Sequence, residues 1–199
     1  MARNRQAGCL HLIAGGTGAG KTTYAKALAS REHALLLSID DWMGRLFWPD
    51  TKATTPEDLG TWAHERAARC TAQMREALGQ TLPLGLSAVA DAGFTTRADR
   101  AAFSDWAAAL GLPVRLHWVD VEAGTRWQRV EARNAAGGGG TGFVVTAEMF
   151  AYMEGLWEAP EAAEMAALDG IRVDASGNAV SPEKAVSGIV EGRGGFGHG

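Results

Sequence analysis

The chain has 199 residues, 46% apolar and 21% charged, enough for one α/β domain with a full core, so a disordered or low-complexity protein is excluded. A net charge of −4 with no concentrated basic stripe argues against a polynucleotide-binding surface, though a local basic groove stays open. Two distant cysteines, Cys9 and Cys70, ask for no disulfide framework, and no apolar run approaches the roughly 20 residues of a membrane span. With no signal-peptide core after the first residues, the expectation is a cytoplasmic, membrane-free protein with two buried thiols.

Five strand-like runs alternate with helical segments, at about 9–14, 34–39, 84–90, 114–119 and 170–174. That alternation predicts a parallel sheet covered on both faces. The first run, Cys9-Leu10-His11-Leu12-Ile13-Ala14, leads into Gly15-Gly16-Thr17-Gly18-Ala19-Gly20-Lys21-Thr22-Thr23. Every fixed position of the pattern GxxxxGK[ST] is filled. Glycines let successive backbone N–H groups point inward, Lys21 neutralises β/γ-phosphates, and the Thr22 hydroxyl can ligate Mg²⁺. A helix carrying Tyr24, Ala25 and Leu28 follows, and its positive end faces the same phosphates. The loop therefore predicts nucleoside triphosphate binding.

The second run ends in Asp40-Asp41. In an open α/β sheet, ligands sit at the carboxyl ends of the strands. A carboxylate there can face a γ-phosphate from the acceptor side, so Asp40 is the candidate base and Asp41 the helix cap. Trp42, Phe47 and Trp48 either line an acceptor pocket or pack on the next helix, with packing favoured. Thr55-Pro56-Glu57-Asp58 opens that helix, which carries Trp62, Arg66, Cys70, Met74 and Leu78. The third run ends in Asp91, which fits a Walker-B aspartate holding Mg²⁺ directly or through water. Thr96-Arg97-Ala98-Asp99 reads as a capping box before Phe103, Trp106 and Leu110; Arg97 and Arg100 either touch phosphate or stand in solvent.

The fourth run ends at Asp120. On the helix after it, Arg126, Arg129 and Arg133 share one face at i, i+3 and i+7. Three guanidinium groups on one face repel unless an anion sits opposite, and the run Gly137 to Gly140 follows at once. Together they read as a lid, about residues 122–145, closing over triphosphate, the alternative being a solvated face paired with Glu122 and Glu131. Thr146 opens a further helix with Phe150, Met153 and Trp157. Residues 192–199 read as a frayed tail, and no internal repeat is present.

The loop, Ile39-Asp40-Asp41, Asp91-Ala92-Gly93-Phe94-Thr95-Thr96-Arg97, Arg129-Val130-Glu131-Ala132-Arg133-Asn134 and Phe143-Val144-Val145-Thr146-Ala147-Glu148-Met149-Phe150 occur in that order. Together they resemble the small P-loop kinases described as AAA-like ATP-binding proteins, which are similar to polynucleotide 5′-hydroxyl kinase, chloramphenicol phosphotransferase and zeta toxins. The resemblance spans about residues 9–175. It implies one three-layer α/β P-loop NTPase domain over 1–199, with a five-stranded parallel sheet of order 2-3-1-4-5 and a helical lid. It further implies ATP and Mg²⁺ as cofactors, Asp40 as base, Arg126 and Arg133 as the lid arginines, and Arg129 beside the nucleotide. The segment after Asp91 departs from the Asp-Gly-Phe-Pro-Arg stretch of nucleoside monophosphate kinases, so a nucleotide acceptor is not implied. The expected reaction is phosphoryl transfer to a hydroxyl of a small molecule, in a monomer or homodimer. A polynucleotide 5′-kinase and a non-catalytic nucleotide-dependent module are the alternatives.

Overall fold

The computed structural model describes residues 7–52, 56–137 and 144–180. Thr55, most of the glycine run, Phe143 and the tail at 192–199 lie outside the described residues. The chain runs β1 (Leu10–Ala14), α1 (Lys21–Arg31), β2 (Leu35–Ser38), α2 (Ile39–Leu46), α3 (Pro56–Thr81), β3 (Ala88–Asp91), α4 (Arg97–Ala109), β4 (Val114–Val119), α5 (Ala123–Ala135), α6 (Ala147–Leu156), α7 (Ala162–Ala167) and β5 (Ile171–Val173). The five strands form one parallel sheet of order β2-β3-β1-β4-β5. This is the predicted order of the P-loop NTPase fold.

β1 is buried along its whole length, because it has strands on both edges and helices on both faces. Leu10, Leu12 and Ala14 point to one face and pack with Met74 and Leu78 of α3 and with Phe103 and Ala107 of α4. Ile13 points to the other and packs with Ala25, Leu28 and Ala29 of α1.

The third strand is shorter than the run 84–90 predicts. Pro83 sits in a 3-10 turn over Leu82–Leu84, and Gly85 leaves it at φ 81°, so pairing starts only at Ala88. Leu84 and Leu86, expected inside the strand, are exposed. The capping box on α4 forms in full: Thr96 Oγ1 accepts from the Asp99 N–H at 3.1 Å, and Asp99 Oδ2 accepts from the Thr96 N–H at 2.9 Å. The buried stripe of α4 is Arg100, Phe103 and Ala107, while Leu110 lies in the open. Cys70 is buried as expected, and Cys9 only half-buried. No helix among the described residues is long and apolar enough to cross a membrane.

Two polar groups are built into this core. Arg100 is fully buried, donating from Nε and Nη2 to Glu164 at 2.5 and 2.9 Å and from Nη1 to the Glu158 carbonyl at 2.8 Å. It is neither a phosphate contact nor a solvated helix start. It fastens the stretch from α6 to α7 onto α4, helped by the Arg97 N–H donating to Glu158 at 2.7 Å. On the α1 side, His117 Nε2 meets His11 Nδ1 at 3.0 Å and His117 Nδ1 meets Tyr24 Oη at 2.8 Å. Either direction of proton relay satisfies both bonds with neutral rings, whereas two charged rings would place N–H against N–H. Burial and the neighbouring imidazole depress His117 to about 3, and burial lowers His11 as well.

Glu164→Ala leaves the Arg100 guanidinium buried without its counter-charge, so urea denaturation should show a loss of about 3–5 kcal/mol. The histidine pair predicts acid lability. The unfolded chain binds protons near pH 6.5 that folded His117 refuses until about pH 3, so stability is complete above 6.5 and falls by a few kcal/mol towards pH 3. His117→Gln should flatten that slope in denaturation curves taken across the window.

Candidate active site

The carboxyl ends of β1, β2 and β3 meet at one edge of the sheet, and the polar residues cluster there. β1 runs into the glycine loop, and α1 begins at Lys21 with Gly20 as N-cap and no capping side chain, so its first-turn N–H groups face the loop. Lys21 folds back over the loop and donates to the Gly15 and Gly16 carbonyls at 2.9 and 3.1 Å. Burial lowers its pKa, while the Asp91 and Asp40 carboxylates act to raise it.

Thr22 and Asp91 come from opposite ends of the sequence pattern and touch: the Thr22 hydroxyl donates to Asp91 Oδ2 at 2.7 Å. Asp91 is buried, and burial pushes its pKa up against the lowering effect of Thr22 and Lys21. Two hard oxygen donors side by side next to a phosphate loop are the donor set Mg²⁺ takes, so the residues present fit that ion.

Ser38 pairs with Asp91 in the sheet register, which sets the first turn of α2 beside this pair. The cap of α2 is Ser38, not Asp41: its Oγ accepts from the Asp41 N–H at 3.4 Å. The strand stops one residue earlier than predicted, so both aspartates fall inside the first helical turn, where the helix dipole favours negative charge. Asp40 is exposed there, close enough to act on Lys21.

The three arginines of α5 separate. Arg129 is half-buried and donates to the Ala19 carbonyl at 2.9 Å and the Ala175 carbonyl at 2.8 Å, linking the loop to the turn after β5. Arg133 is exposed, and its charge acts to lower the pKa of Lys21. Arg126, expected to reach out from a lid, is buried. Its Nε donates to the Val121 carbonyl at 2.8 Å, Nη1 to the Thr17 carbonyl at 3.2 Å, and Nη2 to Glu154 Oε2 at 2.5 Å, with a second Nη1 bond to Glu154. Glu122 caps α5 through the Gly124 and Thr125 N–H groups and pairs with none of these arginines. The reason for the departure is α6, which brings a carboxylate to Arg126 from 28 residues away.

This packing accounts for glycine at two variable positions of the loop pattern. A Cβ on Gly16 would lie 2.3 Å from Arg126 Nη1, and one on Gly18 would lie 2.4 Å from the Arg126 carbonyl oxygen. A small cavity of about 40 Å³ remains between Gly15, Gly16, Thr17, Lys21, Gly93 and Thr95, roofed by Met153 and Trp157 of the α6 region. Neither Glu154 nor this roof was legible in sequence. Met153 and Trp157 stood out as a helical stripe, but nothing in their spacing said what they face.

A larger cleft of about 350 Å³ opens where α2 gives way to α3, lined by Asp50, Lys52, Asp58, Trp62 and Arg66. Trp48 stacks at 5.1 Å on Trp62, which lines this cleft, and Trp42 packs on the core. Phe47 is half-buried at the end of α2.

The sequence-family model described as an AAA domain matches residues 10–160, from the first residue of β1 to just past α6. The chain belongs to this P-loop AAA-domain family. No curated protein matches it. Among solved structures the fold is shared with a candidate kinase of Chloroflexus aurantiacus, 17% identical over 92% of this chain and 97% of that one, with a TM-score of 0.67. A gluconokinase of Sinorhizobium meliloti is 16% identical over 87% and 85%, with a TM-score of 0.54. A chain of the Pnkp1/Rnl/Hen1 RNA repair complex is 15% identical, with a TM-score of 0.60, over 78% of this chain but 45% of that one. At these identities the likeness is one of fold.

Gly16→Ala drives a methyl group into the Arg126 guanidinium. A loss of about 1–3 kcal/mol is expected from overpacking, read as a lower midpoint in thermal denaturation.

Proposed function

We propose that this AAA-domain protein is an ATP- and Mg²⁺-dependent phosphotransferase that moves the γ-phosphoryl group to a hydroxyl of a small molecule. The observation that carries the reading is the grouping of Lys21, the Thr22–Asp91 pair and Asp40 at one sheet edge. A module that only binds nucleotide needs the first three. A further carboxylate near Lys21 is what an attacking hydroxyl needs in addition.

In this reading the backbone N–H groups of residues 15–22 and the start of α1 cradle the phosphates, and Lys21 leaves the Gly15 and Gly16 carbonyls for the β/γ-phosphates. Thr22 and Asp91 hold Mg²⁺, which supplies charge neutralisation when bound. Asp40 accepts the proton of the acceptor hydroxyl as its oxygen bonds to the γ-phosphorus, and the bond from that phosphorus to the β-bridging oxygen breaks, releasing ADP. Arg133, exposed at the end of α5, meets charge on the transferring group, and Arg129 supports the loop at Ala19. Arg126 serves from below the loop instead. The gluconokinase sharing this fold supports a small hydroxyl compound as acceptor. The net charge of −4 speaks against a polynucleotide one.

Asp40→Asn should lower transfer at least about 100-fold while ATP affinity holds within about twofold. Lys21→Ala should weaken both. Transfer is read as a gain of about 80 Da, one phosphoryl group, on a compound in a metabolite pool given ATP and enzyme. Wild-type rates in Asp40→Asn would remove the base assignment.

A further inference from the structure

We infer that Glu154 is a positioning residue for nucleotide binding: by holding Arg126 against Gly16 and Thr17 it sets the curvature of the first half of the phosphate loop, and so makes α6 part of the nucleotide site. The inference rests on the loop binding nucleotide, as proposed above, and not on any acceptor.

The donor inventory of Arg126 carries it. A guanidinium has five N–H donors. Nε is spent on Val121, Nη1 on Thr17 and Glu154, and Nη2 on Glu154, so one N–H is left. A group this committed and this buried is a strut, not a ligand awaiting phosphate. The strut also has a fixed seat. Gly16 has no Cβ, and the guanidinium carbon occupies the space a Cβ would need, 2.7 Å from where it would stand. Moving Arg126 therefore frees the Thr17 carbonyl and opens a gap beneath Gly16 in one step.

Charge points the same way. The Arg126 cation acts to lower the pKa of Lys21. Glu154, on α6, pairs with that cation and offsets its charge. One residue before Glu154 stands Met153, and three after it Trp157, both lining the cavity over the loop. The carboxylate that fixes the underside of the loop and the side chains that line the cavity over it thus belong to one short stretch of chain.

The test uses the full chain and isothermal titration calorimetry with Mg·ADP and Mg·ATP, alongside thermal denaturation. Glu154→Gln keeps the shape and removes the charge, and should raise Kd for ADP and ATP alike by roughly tenfold. Glu154→Asp should recover part of the loss. Gly16→Ala should weaken binding on its own, and the double variant Gly16→Ala/Glu154→Gln should bind little worse than either single one, because both break the same seat. Folded Glu154→Gln and Glu154→Asp proteins with Kd within about twofold of wild type overturn the inference, even if the melting temperature falls. A loss confined to ATP also overturns it, since that places the pair at the γ-phosphate instead of under the loop. Wild-type protein that binds neither nucleotide removes the reading beneath the inference, a result distinct from both.

Discussion

A planar cation sits under a loop that has no room for one more carbon atom, and much of the architecture follows from that. For the Arg126 guanidinium to lie beneath Gly16, α5 must pack directly on the phosphate loop, which its own backbone does at Gly18. A buried cation then requires a counter-charge, which comes from the half-buried Glu154 of α6. The stretch that follows α6 is held as well, by the Arg100–Glu164 pair between α4 and α7. Two ion pairs, each on a buried arginine, thus bracket the segment that roofs the cavity. Neither is needed for stability as such, since apolar replacements of similar volume commonly stabilise as well. What they add is position.

At the sheet edge the balance is electrostatic. Burial works against a charged Lys21 and against a charged Asp91, and each offsets the penalty of the other. The pair is a neutral unit in a half-dry place. The exposed charges of Asp40 and Arg133 act on Lys21 with opposite sign. An arriving polyphosphate therefore meets a lysine that is already held at the loop, by the Gly15 and Gly16 carbonyls, and has only those two bonds to exchange.

The features legible in the sequence were those fixed by local chemistry. The strand–loop–α1 unit, the capping box at Thr96 and the Thr146 cap depend on neighbours a few residues away, and all three formed. The sheet order came with the family resemblance, and the Thr22–Asp91 contact follows from the order once β3 lies next to β1. What escaped was long-range pairing. Arg126 looks the same in sequence whether it reaches into solvent or into Glu154, and Arg100 gives no sign of being buried. The β3 boundary failed for a local reason, since the mostly apolar run 84–90 reads as one strand and the Pro83 turn outweighed it. The cap at Ser38 was missed because the adjacent Asp40-Asp41 was the more conspicuous candidate.

The sheet order has a bearing on how the protein is made. β1 carries the loop at its end, yet Leu10 pairs with Ala88 on one side and Val114 on the other. A nascent chain therefore emits its first strand long before either neighbour exists, and closing such distant pairings is entropically slow. The loop waits longer still, because its underside is Arg126 and the anchor of that arginine is Glu154. During synthesis the loop emerges well before its support, since Thr17 and Arg126 stand 109 residues apart in the chain.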